Sequence, residues 1–504
     1  MNVFCKNFAK VKKATNQNRY QFLNHIKGKI NLMKTINQNY INGNFVQINS
    51  DKFITLKNPS NEEDIASVYL STKTDLNKAI NAAKKAQISF SKTSIEQRKE
   101  ILQNIYHELI KKEDELNDIA TIEYGAPINT TKRRTKNAIN LFLEMQEIMN
   151  EYDYEKRDKF SITIKEGVGV IGVIIPWNAA YAHLCGNIAP AIAMGCTLVI
   201  KPSEFNALET QLFLECLHKA KIPKGVINVV NGTGESIGEA LVKSKKIDAI
   251  SFIGSSFTGE KIYKNSSKTI KKITLELGGK SPSIILEDAN LDEVIPEVLD
   301  AAFSNSGQAC HAGSRLIVPK SKIKEIEKLL ISNIEKLKIG NPADESVKIG
   351  PMINEKQFKS VQNYIQSGIH EGAKLLIGGV GKPENIKNGY FIKPTIFICE
   401  HQNYKIVKEE IFGPVLSVLT YENEDEALKM ANDTDFGLSA YVFTNNEQKA
   451  LYFAKNIKSG RVLINTASSS APYPPFGGMK LSGIGRMGGK YSLDEFSEIK
   501  SILF

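Results

Sequence analysis

The chain has 504 residues, 42% hydrophobic and 24% charged, the composition of a large globular protein with roughly two to four domains. No stretch approaches the ~20 uninterrupted apolar residues of a membrane span, and Cys5, Cys185, Cys196, Cys216, Cys310 and Cys399 form neither a C-x-x-C pair nor a dense array, which argues against a disulfide framework or a zinc site. The net charge of +10 is concentrated at one end: eight basic residues lie between Lys6 and Lys34 with no acid before Asp51, so the body is nearly neutral and makes no case for a nucleic-acid partner.

Residues 1–34 are expected to be a disordered basic leader. They lack the apolar core and cleavage site of a secretory signal, and with one Arg and no Ser they fit a mitochondrial presequence poorly, so a cytoplasmic protein whose translation starts at Met33 is the simpler reading. Residues 39–46 read as a strand. Apolar residues at helical spacing predict helices over 75–86 and, as one longer stretch, 96–123. The pattern then changes. Residues 168–175 form a continuous β-branched apolar run ending at Pro176, and similar runs recur at 197–200, 227–230 and 248–253, separated by helix-length segments at 206–220 and 235–243. This alternation predicts βαβ units and a largely parallel sheet, whose ligands gather beyond the carboxyl ends of the strands. A second α/β series runs from 273 to 465, with helices near 291–303, 323–336 and 356–371.

The residues after these runs are the candidates for chemistry. Cys310 follows a predicted helix in a stretch of small and polar residues that leaves a thiol reachable, although a lone cysteine is equally a buried hydrophobe and only its thiolate is nucleophilic. Strand alternation puts Thr274 and Glu276 on one face, with Leu275 and Leu277 on the other. Glu276 is then either a solvated strand residue or a general base backed by the Gly278-Gly279 turn. Asn178, just past Pro176-Trp177, is either a turn residue or an amide able to donate to an oxyanion. Lys201-Pro202-Ser203-Glu204 fits a helix start and a ligand site equally well. The Gly232-x-Gly234-x-x-x-Gly238 run is one residue too long for the dinucleotide fingerprint and is weak evidence. Seven scattered histidines supply no ligand set, so no metal is expected.

Taken together, Pro176-Trp177-Asn178, Lys201-Pro202-Ser203-Glu204, Phe252-Ile253-Gly254-Ser255, Leu275-Glu276-Leu277-Gly278-Gly279, Gly307-Gln308-Ala309-Cys310, Glu409-Glu410-Ile411-Phe412-Gly413-Pro414-Val415 and Pro475-Phe476-Gly477-Gly478 resemble, in order and spacing, the aldehyde dehydrogenase superfamily from about residue 38 to the C-terminus. The resemblance implies an α/β fold with a Rossmann-like cofactor domain over 35–148 and 167–278, an α/β catalytic domain over 279–479, and a small β oligomerisation arm over 149–166 and 480–504. It implies a homodimer or homotetramer. It also implies that Cys310 is the nucleophile, Glu276 the base for deacylation, and Asn178 with the Cys310 backbone N–H the oxyanion hole. Lys201 and Glu204 would hold the adenosine ribose, Trp177 and Ser255 the pyrophosphate region, and Glu410 and Phe412 the nicotinamide end, with Ile174 and Gly254 also against the cofactor. Because Glu204 repels a 2′-phosphate, NAD is expected ahead of NADP.

Four positions depart from the family pattern. Ala179-Ala180 replaces the usual Phe-Pro and widens the expected substrate entrance, Met479 replaces a common aromatic, and Met487 stands where relatives have a glutamate linked to proton relay. The alternatives are a CoA-acylating semialdehyde dehydrogenase, against which Glu276 argues, and a degenerate binding protein, against which the intact Cys310, Glu276 and Asn178 argue. No arginine is placed by the sequence at an anionic subsite, so simple aliphatic or aromatic aldehydes are the expected substrates.

Overall fold

The apolar runs after residue 168 form the middle of an eight-stranded sheet. Five strands are parallel and lie in the spatial order Lys272–Glu276, Ala249–Ile253, Val170–Ile174, Thr197–Lys201 and Ile227–Val229. Chain order therefore reverses between Val170–Ile174 and Ala249–Ile253, the switch point of a doubly wound fold, where a crevice opens past the strand ends. The computed structural model describes residues 34–469, 471 and 474–504, so the expected leader lies, apart from Lys34, outside the described residues.

Both faces of this sheet are buried, which is why its strands read as continuous apolar runs. Ile171, Val173, Leu198 and Ile200 pack on one side with Phe142, Leu184, Ile188 and Leu217, while Val170, Ile174, Val199 and Ile250 pack on the other with Leu76, Ile80, Ile237 and Leu241. The sheet is extended antiparallel by Gln38–Ile41 and Asn44–Gln47 at one edge and by Gly483–Ile484 at the other.

The segment 39–46 is thus a hairpin rather than one strand. Asn42 and Gly43 take left-handed φ angles of 52° and 76° and reverse the chain, as an Asn-Gly pair does in a tight hairpin turn. Similarly, 96–123 is two helices, Ile95–Ile110 and Glu113–Glu123, broken at Lys111-Lys112, and a further helix of 24 residues, Ile128–Glu151, precedes the parallel strands.

A second sheet has seven strands, six of them parallel, in the order Thr395–Ile398, Val415–Tyr421, Arg315–Pro319, Pro282–Ile285, Ser439–Phe443 and Arg461–Ile464, with Lys374–Ile377 antiparallel at the edge. Arg315 is fully buried at its centre. Its guanidinium donates to the carbonyls of Lys280, Met430 and Ala431 at 2.9, 3.0 and 2.9 Å. Those bonds tie the loop after Glu276 to the second sheet.

Glu155–Arg157, Ser161–Gly167 and Ser497–Leu503 make a separate antiparallel sheet that exposes Phe160, Ile499, Leu503 and Phe504. Not all of the tail joins it: Leu493 and Phe496 sit in the core beneath the first sheet's helices. No helix among the described residues is long and apolar enough to cross a membrane.

Candidate active site

Cys310 ends a short loop whose geometry is costly and heavily braced. Asn305, Ser306 and Gly307 take φ angles of 59°, 58° and 70°, so two consecutive non-glycine residues are left-handed, an arrangement that persists only where its surroundings fix it. The bracing is visible. The Asn305 amide donates to the Gln308 carbonyl at 2.9 Å and to the Tyr124 hydroxyl, Ser306 Oγ accepts from the Gly350 N–H at 2.9 Å, and the Gln308 side chain bonds Pro351 O and Ile353 N at 3.2 and 3.0 Å. The loop leaves Cys310 half-buried. Cys185, Cys196, Cys216 and Cys399 are buried, and Cys310 alone among the described cysteines is not.

Glu276 stands at the carboxyl end of Lys272–Glu276, buried, with neither carboxylate oxygen hydrogen-bonded. The expected alternation holds: Leu275 and Leu277 enter the core, and Thr274, on the Glu276 face, donates to Glu495 Oε2 at 2.8 Å. Burial raises the Glu276 carboxyl to about 9; the Arg486 cation opposes the shift and the Glu495 carboxylate adds to it. Arg486 and Glu495 were not legible as partners, because they come from the C-terminal tail.

Asn178 is buried, and its amide donates to the Gln308 carbonyl at 3.2 Å, two residues before the thiol. Its loop is held by Asn206 Nδ2 on the Trp177 carbonyl at 3.1 Å and by Arg134 Nη1 on the Asn178 carbonyl at 3.2 Å. Glycines set the closest approaches. A Cβ on Gly279 would collide with the Cys310 carbonyl oxygen, one on Gly278 with the Glu410 carboxylate, and one on Gly477 would lie 2.7 Å from Glu276 Oε1. Glu410 accepts from the Gly279 N–H at 3.0 Å.

Cys310, Glu276, Asn178 and Glu410 therefore converge. Burial pushes the Cys310 thiol up to about 12, with the Glu410 and Glu276 carboxylates adding to the rise and Arg461 opposing it. Burial likewise raises Glu410 to about 7, against its bond from Gly279 and the charge of Lys280. A thiol and two carboxyls all raised by burial at one place mark a functional site.

The remaining candidates line the carboxyl edge of the first sheet. Lys201 Nζ donates to Glu204 Oε2 at 3.0 Å, in a pair that is mostly buried on the lysine side. Ser255 caps the helix Ser256–Ser266, accepting from Thr258 N at 3.3 Å, and Gly254 leaves no space for a Cβ beside the Phe252 ring. Phe412, at a left-handed φ of 57°, lays its ring edge-on to Trp177 at 5.4 Å. Ile174 differs. Its side chain is buried among Ile237 and Leu241, facing the core. This donor set fits a dinucleotide: a carboxylate for ribose hydroxyls, a lysine beside it, and an eleven-residue helix starting at the switch point, where N–H groups and the helix dipole suit a diphosphate.

A small cleft opens beside Asn178 and is lined by Tyr124, Arg134, Asn178, Ala179, Ala180 and Glu209, among others. The two alanines that replace Phe-Pro are on its wall. Met487 bridges Phe476 through paired backbone bonds of 2.7 Å, and its side chain packs against the core.

Residues 45–502 match the model of the aldehyde dehydrogenase family. A putative aldehyde dehydrogenase of Staphylococcus haemolyticus is 40% identical over 471 residues, covering 93% of this chain and 99% of the relative. Among solved structures, a mutant aldehyde dehydrogenase C of Pseudomonas syringae in complex with NAD+ and octanal superposes with a TM-score of 0.91 at 37% identity, over 92% of this chain and 96% of that one. The Mycobacterium tuberculosis aldehyde dehydrogenase complexed with NAD+ gives a TM-score of 0.91 at 32% identity, over 94% and 99%.

Proposed function

The chain belongs to the aldehyde dehydrogenase family, and from that premise we propose that it oxidises an aldehyde to a carboxylic acid through a thioester on Cys310, released by water that Glu276 activates. The observation that carries this is the meeting of the one described cysteine that is not buried with a buried, unpartnered carboxylate and an aligned side-chain amide.

Cys310 gives up its thiol proton to water and its sulfur bonds the aldehyde carbon, as the carbonyl π pair moves to the oxygen and places negative charge there. Asn178 Nδ2 and the Cys310 N–H donate to that oxygen, a contribution on the order of 3–4 kcal/mol for one such donor. Bound NAD supplies the hydride acceptor that takes the reaction to the oxidation level of the acid. Glu276 then takes a proton from water as its oxygen bonds the thioester carbon, and the carbon–sulfur bond breaks to return the thiol and release the acid.

NAD is supported by the Glu204 carboxylate beside Lys201, which suits free ribose hydroxyls, and by the NAD+ complexes of two relatives. The arm's exposed Phe160, Ile499, Leu503 and Phe504 support a homodimer or homotetramer. The deciding assay follows NADH formation with an aldehyde panel and no CoA. Steady turnover by wild type, its loss in Cys310→Ala and at most one turnover by Glu276→Gln support the mechanism. Turnover only when CoA is added overturns hydrolysis in favour of acyl transfer, and none under either condition overturns the activity itself.

A further inference from the structure

Granting that Cys310 reacts with aldehydes, we propose that this chain selects aldehydes carrying a carboxylate, and that Arg134 on the wall of the cleft anchors that carboxylate.

Arg134 belongs to the helix Ile128–Glu151, and Thr131 and Thr135, three residues before it and one after, line the same cleft. That face of the helix looks into the space beside Asn178. Its guanidinium donates to the Asn178 carbonyl at 3.2 Å and to the Tyr124 hydroxyl. Both acceptors are neutral. Among the described residues no carboxylate forms an ion pair with Arg134, although the protein pairs Lys201 with Glu204 close by. The acid on the cleft wall is Glu209, whose carboxyl is raised by burial and whose oxygen already accepts from Asn206 at 3.0 Å.

A second arginine stands beyond Cys310. Arg461 opens the strand Arg461–Ile464, stacks over the Phe476 ring at 5.0 Å and leaves its Nε buried without a partner. Both arginines act on His311, which burial and the charges of Arg461, Arg134 and Arg133 hold neutral, down at about 3. Of the two carboxyls that act on Cys310, Glu276 is raised to about 9 and is largely uncharged at neutral pH, while Glu410, raised to about 7, is about half ionised and offsets only part of this field. The aldehyde side of the cleft is thus positive.

A desolvated guanidinium with no counter-charge is costly, and its planar fork is shaped for two parallel bonds to a carboxylate. A substrate carboxylate would supply the missing charge. A neutral alkanal such as the octanal held by the Pseudomonas syringae relative would not. The competing role for Arg134 is purely to position Asn178 through its carbonyl, and that role would affect all aldehydes alike.

The test compares kcat/KM for succinic semialdehyde with butanal, and for glutaric semialdehyde with pentanal, in wild type, Arg134→Met and Arg134→Lys at saturating NAD. Pairing by carbon number cancels effects transmitted through Asn178, because the ratio within a pair reports only the carboxylate. Wild type should favour the carboxylated member at least about tenfold, with the ratio collapsing in Arg134→Met, mainly through KM, and partly restored in Arg134→Lys. Equal ratios in wild type and Arg134→Met overturn the proposal. If wild type turns over neither class, the proposed activity fails instead, and calorimetric titration of Cys310→Ala with succinate, without NAD, decides the anchor. Binding weakened at least about tenfold by adding Arg134→Met supports it, and binding unchanged by that substitution, or no binding at all, overturns it.

Discussion

The raised carboxyl of Glu276 makes hydrolysis dependent on pH in a direction that the surrounding charges should reverse or reinforce. Glu276 must be ionised to take a proton from water. With its value at about 9, roughly one molecule in a hundred carries the charge at pH 7 and about one in ten at pH 8, so a hydrolysis-limited kcat should climb about tenfold per pH unit and level off near pH 9. Below that plateau the thioester accumulates, and rapid mixing should show a burst of NADH, one per active site, that shrinks as the pH approaches 9. Glu495→Gln removes the carboxylate that raises Glu276 and should move the limb to lower pH, while Arg486→Gln removes the opposing cation and should move it higher. Because Arg486 also holds the Gly478 and Gly485 carbonyls at 2.8 and 2.7 Å, the position of the limb is the informative readout, and the height of kcat is not. Linkage gives stability the opposite sign, a fall as the pH rises. A carboxyl raised from 4.5 in the unfolded chain favours the fold fully below that value, and the advantage is lost as the pH rises through about 9, so Glu276→Gln should flatten the alkaline fall in melting temperature. A kcat flat from pH 6.5 to 9, or both charge variants moving the limb the same way, would refute the reasoning.

Asn178→Ala should lower kcat by about 10²–10³ with a smaller change in KM, since its amide matters most once charge develops on the substrate oxygen; steady-state kinetics on one aldehyde measure the split. Gly279→Ala drives a methyl into the Cys310 carbonyl oxygen and should abolish acylation while the far-ultraviolet spectrum stays native, checked by the loss of the NADH burst. Arg315→Met leaves the carbonyls of Lys280, Met430 and Ala431 buried without their donor and should cost about 3 kcal/mol or more, read from urea denaturation.

What the sequence disclosed and what it hid divide along physical lines. Val170–Ile174, Thr197–Lys201 and Ala249–Ile253 were legible because a strand buried on both faces must be apolar throughout. The helix starts carry local signals that the apolar spacing over 75–86 and 96–123 did not use. Thr72 and Ser94 each accept from the backbone N–H three residues on, while Asp75 and Gln97 reach back to the cap's own N–H. The single strand expected over 39–46 failed on a signal that was present, since Asn42-Gly43 is itself a turn. The break at Lys111-Lys112 carries no Gly or Pro and left no such mark.

The site divides in the same way. Cys310, Glu276 and Asn178 lie in short motifs that are readable from the chain, whereas the approach of Gly279 to Cys310 and of Gly278 to Glu410 brings separate motifs together and is set by the fold. The residues that tune them come from elsewhere. Arg134 reaches the Asn178 carbonyl from 44 positions earlier, and Glu495 is bound to Thr274 across 221 positions. Nothing local distinguishes Arg134 from Arg133, which is exposed one residue away on the same helix. Only the fold decides which of them enters the cleft. Chemistry shared across a family can be carried by contiguous motifs, whereas the charge that chooses a substrate can be placed by any element that borders the cleft; this chain's preference is therefore expected in the helix Ile128–Glu151 and at Arg461, outside every motif that identifies the reaction.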